Sequence, residues 1–243
     1  MLKFISTSNY FVRKYSNIIP NFYLRFSTPS DKDSLSLLLK KGFHDEENLV
    51  NLLKLSYEET KPMYDLVLAN DFTINNSLCA INEKDEICGA LLYKIITKDD
   101  RYKHYNNEKE DEIFKEIISK NDKLRRCFEI QYNTSSNPWY LFPDEVKSIW
   151  KTVILAVLPE YRKMKVGSYI LKEREKLCMK RFPDLYGDVC DCTTIMTAKM
   201  SVKEGYTIFN KVPYSSIGLP PASDGSDSVI GTYKLFPNYF KKD

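Results

Sequence analysis

The chain reads as an α/β fold, with helices flanking a central sheet, on three observations. The run from Thr152 to Leu158 is aliphatic without polar alternation, as expected of a strand buried on both faces. It passes through a sharp turn at Pro159 into an amphipathic helix spanning Val166 to Phe182. Two further strand-like stretches, Ser77 to Asn82 and Ile87 to Thr97, enclose Glu83-Lys84-Asp85-Glu86 and so predict an antiparallel hairpin.

The other elements follow in order. Asn21 to Ser27 alternates in part and predicts the first strand. Ser30, with Asp33 three residues on, predicts a helix start, and Leu35, Leu38 and Leu39 supply the apolar face. Phe43 to Leu49 ends that helix and begins another; Tyr57 to Asn70 forms a third with Met63, Leu66 and Val67 inward. Lys98 to Asn137 is polar, with helical patterns at Ile113, Ile117 and Ile118 and around Leu124 and Phe128, and is expected to form a lid rather than core. Trp139, Tyr140, Leu141 and Phe142 sit between Pro138 and Pro143 and are expected in a loop. Beyond the Val166 helix come a strand over Asp184 to Cys192, a short helix from Thr197 to Glu204 stopped by Gly205, and a closing pair of strands, Thr207 to Pro213 and Ser228 to Leu235. No internal repeat or linker divides 21–243, so one domain is expected after an N-terminal extension of residues 1–20.

The composition excludes several classes of function. With 243 residues and 43% apolar content the chain can bury a sizeable core. Its net charge of +3 is spread along the chain, which does not suggest nucleic-acid binding. No apolar run approaches the ~20 residues of a membrane span. Six scattered cysteines fit buried free thiols in a reducing compartment better than a disulfide framework, and a cytoplasmic monomer or weak dimer is expected. Cys190 and Cys192 have no histidine near them, so no metal is expected. Residues 1 to about 20 carry Lys3, Arg13 and Lys14 without an acid; that suits a mitochondrial presequence or a floppy arm before the first strand.

The loop after the central strand carries the chemical signal. Small Gly167 and Ser168 at a helix start let a ligand approach unpaired amides, which suits a pyrophosphate. Arg162-Lys163-Met164-Lys165-Val166-Gly167 resembles motif A of the GNAT (Gcn5-related N-acetyltransferase) superfamily: Gln or Arg, two residues, Gly, one residue, Gly or Ala. Arg162 and Gly167 match its ends, whereas Lys165 stands at the first glycine, where its side chain is expected to hold the backbone to ordinary φ values. The element order resembles the GNAT fold over about residues 21 to 240, which implies a mixed, mostly antiparallel central sheet flanked by helices.

Two segments narrow the resemblance. Cys192-Thr-Thr-Ile-Met-Thr-Ala-Lys199, followed by Glu204-Gly-Tyr206 and Pro213-Tyr-Ser215, is similar to insect-type arylalkylamine N-acetyltransferases, with their Cys-Ser-Ser-x-x-Ser-Ala-Arg segment; Phe43 to Leu49 resembles their Phe-Phe-x-Asp-Glu-Pro-Leu. The resemblance implies acetyl-CoA as co-substrate and a small-molecule amine as acceptor. It puts the catalytic glutamate on Glu47 and the two active-site serines on Thr193 and Thr197, with Asn48 in place of proline. It further implies that the cofactor lies along Leu155, Ala156 and Val157, whose amides polarise the thioester, and on Arg162, Lys163, Lys165, Val166, Gly167 and Ser168.

The proton balance of such a reaction needs a base. An alkylamine of pKa ~10.4 is about one part in a thousand neutral at roughly pH 7.4, which adds ~4 kcal/mol to attack on a thioester. A carboxylate whose pKa burial has raised can take that proton. Taken alone, Asp45, Glu46 and Glu47 read as charges suited to a helix start rather than as a base, and it is the resemblance that assigns Glu47 the catalytic role. His44 is a reserve base, and Tyr214 is a candidate acid for the departing thiolate or a half-buried strand residue. Polyamines are the alternative acceptors, suited by Asp45 to Glu47, whereas Trp139, Tyr140 and Phe142 suit a ring. A non-catalytic CoA-binding protein is the reading from another class, motivated by Lys165.

Overall fold

The computed structural model describes residues 22–98 and 108–237. The N-terminal extension and part of the 98–137 insertion lie outside them.

Polar side chains start the early elements. Strand β1 (Tyr23–Phe26) leads to a 3-10 turn, Pro29–Asp31, and then helix α1 (Lys32–Leu38). Its start is set by Thr28 and Asp31 rather than Ser30 and Asp33: Asp31 accepts from the Thr28 amide (2.8 Å) and hydroxyl (3.0 Å) and takes both Arg25 terminal nitrogens at 2.7 Å. A wide turn, Leu39–Phe43, and a 3-10 turn, His44–Glu46, precede α2 (Asn48–Leu53). Ser56 and Glu59 form a reciprocal cap on α3 (Tyr57–Ala69), whose Met63, Leu66 and Val67 are buried as expected, and a short α4 (Asp71–Asn76) follows.

The hairpin forms as predicted from β2 (Leu78–Ile81) and β3 (Ile87–Thr97). Helices α5 (Glu108–Ser119) and α6 (Asp122–Ser135) come next, then the central strand β4 (Ser148–Val157), α7 (Val166–Arg181), β5 (Gly187–Cys192), α8 (Ile195–Lys203), β6 (Thr207–Pro213) and β7 (Ser228–Leu235). The seven strands make one sheet in the order β1-β2-β3-β4-β5-β7-β6, antiparallel at every step except β4 beside β5. Helices α1 and α3 cover one face through Leu35, Leu38, Tyr64 and Val67 against Leu92, Ile154 and Ala156. Helix α7 covers the other through Val166, Ile170 and Cys178 against Leu91 and Trp150. All six cysteines are free and buried. Among the described residues, no helix is long and apolar enough to cross a membrane.

Three expectations change. The 152–158 run is not buried on both faces: Thr152, Ile154 and Ala156 are buried, Leu155 and Val157 are half-buried and Val153 is exposed, because β5 covers only the first part of β4. The insertion is no lid in its second half. Helix α6 buries Leu124, Cys127 and Ile130 against Leu49, Val50 and Leu53 of α2, Tyr214 and Val229. Trp139 and Phe142 belong to a core cluster with Ile149 and Val189, and only Tyr140 of that aromatic group is exposed.

Candidate active site

The gap between β4 and β5 is the first feature of the site. The two strands pair only at Trp150–Asp188, Lys151–Val189 and Thr152–Cys190, after which β5 diverges. The pairing of β4 with β3 skips from Leu92–Ile154 to Tyr93–Thr152, leaving Val153 as a bulge that bends the strand at the point of divergence. Beyond it, the Leu158 amide donates to Cys88 C=O on the β3 side (2.9 Å). By strand alternation Ala156 also faces β3, and Leu155 and Val157 present their backbone groups to the gap. Of the three expected amides, Ala156 is therefore turned away.

A buried cluster fixes the closed end of the gap. Asp188 on β5 accepts from Arg174 Nη1 on α7 (3.0 Å), from the Thr152 hydroxyl (3.1 Å) and from Tyr206 OH (2.8 Å). The Arg174 and Asp188 side chains are 2% and 0% exposed. One carboxylate thus ties β4, β5, α7 and the chain beyond α8 together.

Helix α7 begins at the open end. Lys165 is its N-cap at φ 63°, ψ 15°, and Lys163 also has φ 63°, so both lysines adopt the left-handed conformation. Lys165 is therefore not held to ordinary φ values: it takes the backbone shape a signature glycine would take, at a cost of roughly 1 kcal/mol. The first backbone bond of the helix is Tyr169 N–H to Lys165 C=O (2.9 Å), and no side chain caps it, so the Val166, Gly167 and Ser168 amides point out of the helix end. A Cβ at Gly167 would meet Val157, Leu155 and Met200 no closer than 3.8 Å, so packing within the protein does not demand glycine there. Arg162 is committed to the protein: it pairs with Glu46 (2.6 Å) and donates to Gly42 C=O and Val157 C=O, both at 3.3 Å.

Glu47 bridges the mouth of the gap. Glu46 before it is held by Arg162, just past the end of β4; Asn48 after it donates to Thr193 C=O (3.0 Å), just past the end of β5. The two oxygens of Glu47 divide the roles that the sequence left open. Oε2 accepts from the Val50 amide at 2.6 Å and caps α2, whereas Oε1 is buried without a hydrogen-bond partner. Burial pushes the carboxyl up from its ordinary range; the Thr193 hydroxyl, near but outside hydrogen-bonding geometry, and the Val50 and Leu49 amides pull back less.

The remaining candidates separate. Thr193 lies beside Glu47, its carbonyl held by Asn48 and by Tyr214 OH. Thr197 sits in the first turn of α8, where its amide and hydroxyl bond the Thr194 hydroxyl (3.1 and 2.8 Å) rather than Glu47. Tyr214 has its proton committed to Thr193 C=O; burial, and after it Glu47, push that hydroxyl further up, which suits anchoring better than proton donation. His44 is buried with Nδ1 against Thr60 (2.9 Å) and Tyr64 (3.3 Å), and burial lowers its pKa. Asp224 in the β6–β7 connection joins Asn48 (3.2 Å) to Ser226, which in turn accepts from the Ile195 amide. The three carboxylates Asp45 to Glu47 do not form a shared anionic patch, since Glu47 is buried and Glu46 is paired.

Sequence reasoning passed over Asp191, Lys151 and Ser135. Asp191 Oδ2 accepts from Lys151 Nζ (2.5 Å) and Ser135 Oγ (2.7 Å) on the α6 side of the sheet. The available signal was two acids within the six residues of β5, where an interior strand position must supply each with a partner. Among the described residues no cluster suited to a metal ion occurs.

No protein-family model matches the chain, and no curated protein matches it by sequence. Solved structures match by shape. Arylalkylamine N-acetyltransferase 2 from Aedes aegypti superposes with a TM-score of 0.65 at 17% identity over 88% of this chain and 99% of that one. A Drosophila melanogaster polyamine N-acetyltransferase that forms N-acetylagmatine gives 0.69 at 15% identity over 89% and 100%. The C-terminal condensation domain of Ebony, in complex with β-alanyl-dopamine, gives 0.56 at 12% identity over 88% and 98%. The chain therefore has the fold of the GNAT acetyltransferases.

Proposed function

We propose that the protein is an acetyl-CoA-dependent N-acetyltransferase of small arylalkylamines. The observation that carries this reading is Glu47: a buried carboxylate with one unpartnered oxygen, tethered through its neighbours to the ends of both strands that bound the gap. In this reading the CoA diphosphate lies on the Val166, Gly167 and Ser168 amides, and the gap-facing amides of Leu155 and Val157 polarise the thioester carbonyl. The acceptor amine loses a proton to Glu47 Oε1 and its nitrogen attacks the carbonyl carbon; the C–S bond breaks and CoA leaves as the thiolate. The shape matches to an arylalkylamine acetyltransferase and to a domain holding β-alanyl-dopamine support an aromatic acceptor. The agmatine-acetylating neighbour favours an aliphatic diamine as the second reading.

Thiol release from acetyl-CoA over a panel of tyramine, dopamine, serotonin, putrescine and agmatine tests it. Amine-dependent release with the highest kcat/KM for an aromatic amine is expected. Acetyl-CoA binding by calorimetry without release for any amine would leave a CoA-binding protein only.

Lys165→Gly probes the helix end separately. It removes the left-handed strain and is expected to stabilise the protein by roughly 0.5 kcal/mol while preserving or improving acetyl-CoA affinity. A loss above about tenfold, ~1.4 kcal/mol, would make the Lys165 ammonium a required phosphate ligand.

A further inference from the structure

Asn48 stands where the resemblance has proline, and its side chain makes contacts a proline cannot. It is 7% exposed, and its amide nitrogen uses both hydrogens, on Thr193 C=O (3.0 Å) and on Asp224 Oδ1 (3.2 Å). Asp224 belongs to the connection between β6 and β7, residues 214–227. Its Oδ1 also accepts from the Ser226 amide and its Oδ2 from the Ser226 hydroxyl, both at 2.9 Å. Ser226 Oγ in turn accepts from the Ile195 amide at 2.8 Å. Thr193, Thr194 and Ile195 are consecutive, so these bonds close a ring through Asn48, Asp224, Ser226 and the backbone just past β5.

The ring joins the start of α2, the start of α8 and the connection. The turn carrying Asp224 is held tightly: Gly225 takes φ 84°, and the Ala222 amide donates to Ser226 C=O (2.7 Å). Ala222 is buried against Leu49 and Val50, so the connection covers the first turn of α2, where Glu47 is the N-cap and only 5% exposed. Tyr214, at the other end of the connection, ties the same Thr193 carbonyl.

The groups around Glu47 leave burial in control of its proton. From α3, α6 and the connection, Tyr64, Cys127 and Tyr214 face it; burial foremost, with Glu47 adding, pushes each of them up, so all three are neutral at pH 7. On its own turn, His44 is buried against Thr60 and Glu46 is paired with Arg162. Asp224 behaves oppositely. Burial alone would raise it, but the Ser226 amide and hydroxyl and the Asn48 amide together outweigh burial and hold it below the ordinary carboxylate range. Asp224 therefore stays ionised, with its bonds intact, across the range in which Glu47 titrates.

We infer that Asn48 and Asp224 are positioning residues, a clasp that holds the connection over the turn of Glu47, keeps water from its Oε1 and sets Thr193 beside it. The effect on rate rests on the acetyltransferase reading above; the effect on Glu47 does not. Asn48→Pro removes both donors and suits the backbone, because Asn48 is the first residue of α2 and Glu47 before it lies at φ −75°, ψ 124°. Asp224→Ala opens the clasp from the other side, and Asp224→Asn keeps an acceptor for Asn48. The first two should lower kcat roughly tenfold with KM for acetyl-CoA unchanged, and move the acid limb of kcat/KM to lower pH as water reaches the base. Asp224→Asn should keep most of the rate and the wild-type acid limb. Rates that fall in Asn48→Pro and Asp224→Ala with the acid limb unmoved would reduce the clasp to a packing contact and overturn the inference.

The carboxyl carbon of Glu47, labelled with carbon-13 and assigned by its absence in Glu47→Gln, decides the matter without turnover. In the wild type and in Asp224→Asn its resonance should titrate above the ordinary carboxylate range, and in Asn48→Pro and Asp224→Ala it should move back toward that range. This shift supports the clasp even where no amine is acetylated. A titration unchanged in both opened variants refutes it even where amines are acetylated.

Discussion

Glu47→Gln is expected to lower kcat by roughly 10²-fold or more while acetyl-CoA affinity stays near the wild-type value. Glutamine keeps the shape and can still accept from the Val50 amide, so the α2 cap survives and only the proton acceptor is lost. Raising the pH should restore part of the rate, since free amine then replaces the missing base. In the wild type the acid limb of kcat/KM should titrate above the ordinary carboxylate range, in the direction that burial moves this group. The same substitution should stabilise the protein. Because the folded pKa of Glu47 lies above the unfolded one, the folded state still holds its proton where the unfolded chain has released it, and stability falls as pH rises through that window. The glutamine variant escapes that loss, so at neutral pH its Tm should exceed the wild type's by a few degrees, with the difference vanishing below the unfolded carboxylate pKa. An unchanged kcat at neutral pH would return Glu47 to a capping role alone.

Asp188→Ala carries the largest expected effect on stability. Removing this carboxylate strands the Arg174 guanidinium, whose Nε already has no partner, in a site 2% exposed, and frees the hydroxyls of Thr152 and Tyr206. Breaking such a buried pair costs about 3–5 kcal/mol, equivalent to a Tm fall of roughly 6–20 °C in a chain of this size. Replacing both partners with apolar residues, Arg174→Met with Asp188→Leu, should recover much of that loss, because no uncompensated charge remains. The cluster also spans the paired stretch of the two strands, since Asp188 lies in its first pair and Thr152 in its last. Chemical denaturation measures both variants. A cost below about 1 kcal/mol for Asp188→Ala would show that the strands are held by their backbone ladder alone.

The elements most legible in the sequence were those whose pattern is local. The β2–β3 hairpin is specified by two apolar runs around a polar turn, β6 and β7 by the runs beside a turn-rich loop, and α3 by the helical spacing of Met63, Leu66 and Val67. Patterns depending on what covers a surface were misread. An aliphatic run looks the same whether its partner strand follows it or departs, so nothing in 152–158 reveals that β5 leaves after Thr152. Polar residues around α6 suggested a lid because its apolar stripe, Leu124, Cys127 and Ile130, is narrow; the matching stripe on α2 is far off in sequence.

The site divides in the same way. Sequence by itself marked out the helix-end loop, because small Gly167 and Ser168 at a helix start form a local pattern, whereas Glu47, Thr193 and Thr197 were singled out by the resemblance of two short segments to a known family. Only the tertiary structure decided that Glu47 Oε2 caps while Oε1 is spare, that Ala156 turns away from the gap, that Lys165 takes a glycine's conformation, and that Thr197 bonds Thr194 rather than Glu47. It also brought Asp224 to Asn48 across 176 residues of sequence. Burial and the loss of a hydrogen-bond partner are properties of what packs around a group, and long-range packing leaves no periodicity to read.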